Sequence, residues 1–211
     1  MNAQPRRGAR ILALGDSYTI GEGVSVADRW PVRLVQRLRE NGIDASDPVI
    51  IARTGWTTDE LNAAIDAATP DRDFDLVTLL IGVNNQYRGR SAEEYRSEFA
   101  GLLDRAISFA GARPSRMIAV SIPDWGATPF AGESGRDMAR IAREIDAFNA
   151  VGRAEASRAG ARFVDVTAIS RRVKSDMGLI ASDGLHPSGA MYEEWATQIL
   201  PVAIEALAKH L

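Results

Sequence analysis

Short, almost wholly apolar runs alternate along this chain with longer stretches of helical period. That alternation constrains its fold more than any other feature. The runs are residues 10–14, 49–52, 76–81, 117–122 and 162–166. They are too short for helices and lack a polar alternation, the pattern of strands buried on both faces of a parallel sheet. Parallel strands need crossovers of a dozen or more residues, and the gaps supply helices. Residues 28–40 place Val32, Val35 and Leu38 on one side and stop at Asn41-Gly42. Thr57 with Glu60 makes a capping box ahead of Leu61 and Ile65. Ser91 with Glu94 makes another, ahead of Tyr95, Phe99, Leu102, Leu103 and Ile107. Met138, Ile141, Ile145, Phe148 and Val151 form an apolar stripe that ends near Gly160. A last helix follows Pro187-Ser188 to the C-terminus, with a kink expected at Pro201. The order predicts one α/β domain over residues 1–211, a parallel sheet covered on both faces. Two connections, residues 123–135 and 167–182, are long for such a fold, and long loops at this size are often functional.

Composition narrows the chemistry. There is no cysteine, which excludes disulfides, thiolate metal sites and a cysteine nucleophile and suits a reducing compartment. A net charge of −3 provides no electrostatic footprint for nucleic acid. Arg6, Arg7 and Arg10 precede only four apolar residues, too few for a signal-peptide core. No apolar run approaches a membrane span, so a cytoplasmic location is expected. The apolar final helix suits either the core of a monomer or pairing with a second copy.

In an open parallel sheet, ligands bind outside the carboxyl ends of the strands. Those ends lead in turn to Gly15-Asp16-Ser17, Arg53-Thr54-Gly55-Trp56, Gly82-Val83-Asn84-Asn85 and Pro123-Asp124-Trp125. The fifth leads through a long loop to Asp183-Gly184-Leu185-His186-Pro187. The chain holds two histidines, and one lies three residues after a carboxylate that can orient its imidazole. A serine hydroxyl is a weak nucleophile until a base takes its proton. Ser17 is the candidate nucleophile, His186 the base and Asp183 the group that fixes the tautomer. The amides of Ser17 and Gly55 and the side-chain amide of Asn84 are candidate oxyanion donors. The G-x-S-x-G elbow is absent around Ser17, although the order Ser, Asp, His agrees with that of α/β-hydrolases.

Four blocks in this order resemble the SGNH, or GDSL-type, hydrolase family over nearly the whole chain. Gly15-Asp16-Ser17-Tyr18 resembles the serine block, with Tyr18 replacing the usual leucine. Gly55 fits the glycine block. Gly82-Val83-Asn84-Asn85 resembles the Gly-x-Asn-Asp block, with Asn85 in place of the aspartate. Asp183 to His186 resembles the Asp-x-x-His block. The resemblance implies a three-layer α/β/α sandwich, flavodoxin-like, with a five-stranded parallel sheet. It implies hydrolysis of a small-molecule acyl ester or thioester without metal or organic cofactor.

Each residue also has a structural reading. Asp16 or Ser17 serves equally as a helix cap, His186 as a helix-entry residue, and Gly55, Asn84 and Asn85 as turn formers. His210 reads as a helix-end charge. The family register selects Asn84; a shift of one residue selects Asn85. A metal reading of Asp183 and His186 lacks a third clustered ligand, and a phosphate-loop reading of residues 15–23 lacks the Gly-Lys-Ser/Thr ending. Tyr18, Trp56, Tyr87, Trp125 and Phe130 lie at the site edge and either line a substrate pocket or pack loops on the sheet. Arg88, Arg90 and the Arg171-Arg172-Lys174 cluster either meet an anionic substrate or form a solvated face. The alternative activities are carbohydrate O-acetylesterase and thioesterase at the same site. The non-catalytic alternative is a binding protein of the same fold.

Overall fold

The computed structural model describes residues 7–208. Five parallel strands form one sheet: β1 (Ile11–Gly15), β2 (Val49–Ala52), β3 (Leu76–Leu80), β4 (Met117–Val120) and β5 (Arg162–Val164), in the order β2-β1-β3-β4-β5. β1 and β3 are buried along their whole length, as their near-continuous apolar runs predict. The last two strands stop short of the predicted runs because side chains take over the ladder. Ile122 donates its backbone N–H to Asn149 Oδ1 at 2.7 Å, and Val166 donates its own to Ser121 Oγ at 2.8 Å.

Nine α-helices complete the described residues: α1 (Ser17–Ile20), α2 (Trp30–Glu40), α3 (Thr58–Ala68), α4 (Val83–Tyr87), α5 (Ala92–Phe109), α6 (Pro129–Glu133), α7 (Met138–Arg158), α8 (Thr167–Ser170) and α9 (Gly189–Ala208). α2 and α9 pack together on one face of the sheet; α3, α5 and α7 cover the other. This is the predicted three-layer sandwich. Both capping boxes are present, at Thr57 with Glu60 and at Ser91 with Glu94. α2 starts two residues later than predicted, after a 3₁₀ turn over Val26–Asp28, with Trp30, Leu34, Val35 and Leu38 buried. α9 continues through Pro201, which is exposed. The carbonyl that proline leaves unpaired belongs to Thr197, itself exposed, so water satisfies it at little cost. His210 lies outside the described residues.

The two long connections are not irregular. The first holds a 3₁₀ turn (Trp125–Ala127) and α6; the second holds α8 and two further 3₁₀ turns. Such short turns have no apolar period to betray them, only polar caps such as Asp124 on Gly126 N–H and Asp176 on Gly178 N–H. Arg171 clamps one connection to the other. Its Nε lies 2.9 Å from Asp124 Oδ2, and its Nη2 lies 2.7 Å from Asp146 on α7. Phe130 N–H donates to the Gly184 carbonyl at 3.0 Å. The loop carrying Trp125 and Phe130 is thereby joined to the loop carrying Asp183 and His186.

Candidate active site

The strand order reverses direction between β1 and β3, the switch point at which an open α/β sheet forms a crevice. β1 and β3 end at the same height, with Gly15 opposite Leu80. Gly15 must lack a side chain here: a Cβ would meet Thr19 Oγ1 and come within 2.5 Å of the Leu80 carbonyl. The chain then turns directly into α1, whose first residue is Ser17. Asp16 caps that helix, accepting the Tyr18 N–H at 3.1 Å. Its other oxygen has no hydrogen-bond partner among the described residues, and the side chain is fully buried. Burial pushes its carboxyl up to about 7, against the lowering effect of the Tyr18 N–H.

Asp183 and His186 form a closed local motif. Asp183 Oδ2 lies 2.6 Å from His186 Nδ1, while its Oδ1 accepts the backbone N–H groups of Leu185 and His186, each at 2.9 Å. Burial raises the Asp183 pKa, but the His186 N–H, its imidazole and the Leu185 N–H outweigh it and hold the carboxyl below its ordinary value. The imidazole is nearly buried and lies against the Tyr18 ring, centroids 5.7 Å apart. With Nδ1 on the carboxylate, Nε2 is the nitrogen available to a substrate or nucleophile. Among the described hydrogen bonds the imidazole partners Asp183 and not Ser17 Oγ; catalytic hydrogen bonds commonly tighten only in the substrate complex.

Ser17, Gly55, Asn84 and His186 line one pocket of about 230 Å³. Gly55 has φ +87°, a left-handed conformation that glycine adopts without strain. Asn84 Nδ2 donates to the Trp56 carbonyl at 2.9 Å, which fixes the amide and leaves its second N–H for another acceptor. Asn85 is fully buried and engaged elsewhere. Its Oδ1 accepts Thr58 N–H at 3.1 Å, and its Nδ2 donates to Thr58 Oγ1 at 2.6 Å and Glu98 Oε2 at 3.2 Å. It ties α4 to α3 and α5, away from the pocket.

Tyr18, Tyr87, Trp125 and Phe130 also line the pocket, as do Thr54, Val83 and Leu185, three residues the motifs do not single out. Trp56 does not: its ring packs against the core, and only its carbonyl serves the site. Trp125 is locked by its Nε1–H to Gln86 Oε1 at 2.8 Å, and Gln86 donates in turn to Glu144 at 2.7 Å. Nothing in the sequence marks Gln86 for this role. The arginine clusters are mostly committed. Arg171 holds the loops together, Arg172 pairs with Glu194, and Arg90 pairs with Asp59 and Glu98. Arg88 pairs with Glu60 and donates to the Gly55 carbonyl at 2.7 Å, bracing the glycine loop. Among the described residues no helix is long and apolar enough to cross a membrane.

Residues 13–194 match the model of the GDSL-like lipase/acylhydrolase family. The GDSL lipase Rv0518 of Mycobacterium tuberculosis is 30% identical over 201 residues, covering 91% of this chain and 80% of that protein. The crystal structure of TesA superposes with a TM-score of 0.72 at 22% identity, over 94% of this chain and 99% of that one. The acetyl xylan esterase Axe2 from Geobacillus stearothermophilus gives 0.69 at 20% identity, over 93% and 95%. At such identities these two structures speak for the fold, while the family match rests on the sequence. The chain belongs to the GDSL-like lipase/acylhydrolase family, and by that membership it is a hydrolase of esters.

Proposed function

We propose that the protein cleaves carboxylic acyl esters through an acyl-enzyme intermediate on Ser17, with His186 as the base and Asp183 as its orienting carboxylate. The observation that carries this reading is the 2.6 Å contact of Asp183 Oδ2 with His186 Nδ1, in a pocket whose wall also includes Ser17. Ser17 Oγ bonds to the acyl carbon and gives its proton to His186 Nε2. The ester C–O bond breaks, and the imidazolium returns the proton to the departing alcohol oxygen. Water, deprotonated by the same imidazole, then bonds to the acyl carbon; the acyl–Oγ bond breaks, the imidazolium returns its proton to Ser17 Oγ, and the acid leaves. The amides of Ser17 and Gly55 and the free N–H of Asn84 serve the oxyanion. The test is a fluorophosphonate that reacts with activated serines, followed by peptide mapping. Labelling at Ser17 that disappears in His186→Ala is expected. Labelling elsewhere, or unchanged labelling in that variant, overturns the assignment.

The pocket is small beside the ~300–1,000 Å³ usual for drug-sized ligands, and its walls are aromatic and aliphatic. This favours short acyl groups.

A further inference from the structure

Beside the small pocket lies a larger groove of about 720 Å³ that the reaction chemistry above does not use. Tyr87 lines both. Four arginines line the groove, Arg88, Arg90, Arg136 and Arg140, against two carboxylates, Asp137 and Glu144. This basic lining belongs to a chain whose net charge is −3. Most of these charges are already committed. Arg88 and Arg90 have carboxylate partners, and Arg140 lies 2.7 Å from Glu144. Asp137 accepts the N–H groups of Ala139 and Arg140 as the cap of α7.

Arg136 is different. Among the described residues it has no carboxylate within 4.0 Å; Glu144, bound to Arg140, feels its charge only from farther off. Arg136 is nevertheless held in place. Its guanidinium carbon sits 4.2 Å from the Tyr87 ring centroid and 5.7 Å from that of Trp125, and Nη1 donates to the Tyr87 carbonyl at 3.0 Å. A guanidinium has five N–H donors, and this contact uses one. Stacking on aromatic faces orients the cation without neutralising it. The same two rings wall the pocket that contains Ser17 and His186.

The geometry points to an anion subsite: Arg136 receives a phosphate or carboxylate carried by the leaving alcohol of the ester, while the acyl group occupies the apolar pocket. This rests on the reading of Ser17 as nucleophile and specifies the substrate class for that site. Bidentate recognition of a planar carboxylate or a phosphate edge is what a fixed guanidinium does best.

The test compares three butyryl esters that share an acyl group: those of glycerol, of glycerate and of glycerol 3-phosphate. Both anionic esters, or one of them, are expected to exceed the glycerol ester in kcat/KM by about tenfold, through KM. The phosphate and carboxylate arms identify which anion the subsite takes. Arg136→Gln should collapse that ratio, Arg136→Lys should retain part of it, and added salt should shrink it in the wild type. Equal kcat/KM for all three esters, or a ratio that Arg136→Gln leaves intact, overturns the anion subsite while leaving the esterase standing. Turnover of all three that persists in Ser17→Ala refutes the nucleophile, and the subsite with it.

Discussion

Asp183 grips His186 at two points, its Oδ2 on the imidazole Nδ1 at 2.6 Å and its Oδ1 on the backbone N–H at 2.9 Å. The histidine is also held through its carbonyl, which accepts the Ala181 N–H at 2.8 Å. Its position therefore does not depend on the ring contact alone. Asp183→Asn keeps an oxygen for the backbone N–H groups but favours the wrong tautomer. We expect His186→Ala and Ser17→Ala each to lower kcat by about 10⁶-fold, and Asp183→Asn to lower it by less, about 10⁴-fold. Steady-state kinetics on a p-nitrophenyl ester decide it. An Asp183→Asn loss equal to that of His186→Ala would mean that the carboxylate also sets the ring's position.

The two adjacent asparagines face different tasks and should fail in different ways. Asn84→Ala removes a donor from the pocket and is expected to lower kcat by ~10²–10³-fold with little change in melting temperature. Asn85→Ala strips Thr58 N–H of its buried acceptor and should cost about 1–3 kcal/mol of stability. Urea denaturation and kinetics on the same two variants separate these effects. The reverse pattern would move the donor role to Asn85.

The sheet and the blocks at its strand ends were legible because each is local in sequence. Apolar runs name the strands, and a parallel sheet brings all their carboxyl ends to one edge. What was not legible depends on contacts between distant residues. The family register singles out Asn84, but the bracing role of its neighbour Asn85 depends on Thr58, 27 positions away, and on Glu98. Trp56 follows Gly55 and so lies at the site edge in sequence, yet its ring turns to the core while its carbonyl fixes Asn84. Arg136 matters because it stacks on Tyr87, 49 positions earlier. No local pattern announces such a pairing.

Arg171 joins the two long connections, and its partner Asp124 is buried. Arg171→Ala leaves that carboxylate with the Gly126 N–H but no cation. Because the arginine is itself partly exposed, the loss should be moderate, about 1–3 kcal/mol. Trp125 follows Asp124 directly, so ester KM should rise as well. Calorimetry and KM measured together test this; an unchanged melting temperature would show that the clamp contributes nothing.

Asp16 should make the protein less stable as pH rises. Its folded carboxyl is raised to about 7 by burial, whereas an unfolded aspartate titrates near ~3.9. Between those values the folded chain holds a proton that the unfolded chain has released, so stability is greatest on the acid side and declines until pH passes about 7. From pH 5 to pH 8 this group should cost roughly 2–3 kcal/mol. Asp16→Asn keeps the cap oxygen and removes the charge, so its urea midpoint should be less sensitive to pH over that range. An identical slope in both proteins would show that Asp16 stays ionised in the fold.

The acyl pocket makes the last expectation specific. Trp125 is buried and pinned by Gln86, so that wall cannot retreat to admit a longer chain. Phe130 is only half-buried, on the short helix α6, and its ring lies 6.2 Å from that of Trp125. It can be removed with less damage to the core than Trp125. Wild-type kcat/KM on p-nitrophenyl esters should therefore peak among short acyl chains, between acetyl and hexanoyl. Phe130→Ala should move the peak to longer chains while leaving Ser17 and His186 in place. A wild type that prefers dodecanoyl esters, or a Phe130→Ala variant with the same optimum, would put the acyl chain outside this pocket. The groove beyond Tyr87 would then be the space left for it, and Arg136 would stand beside the acyl chain, not the alcohol.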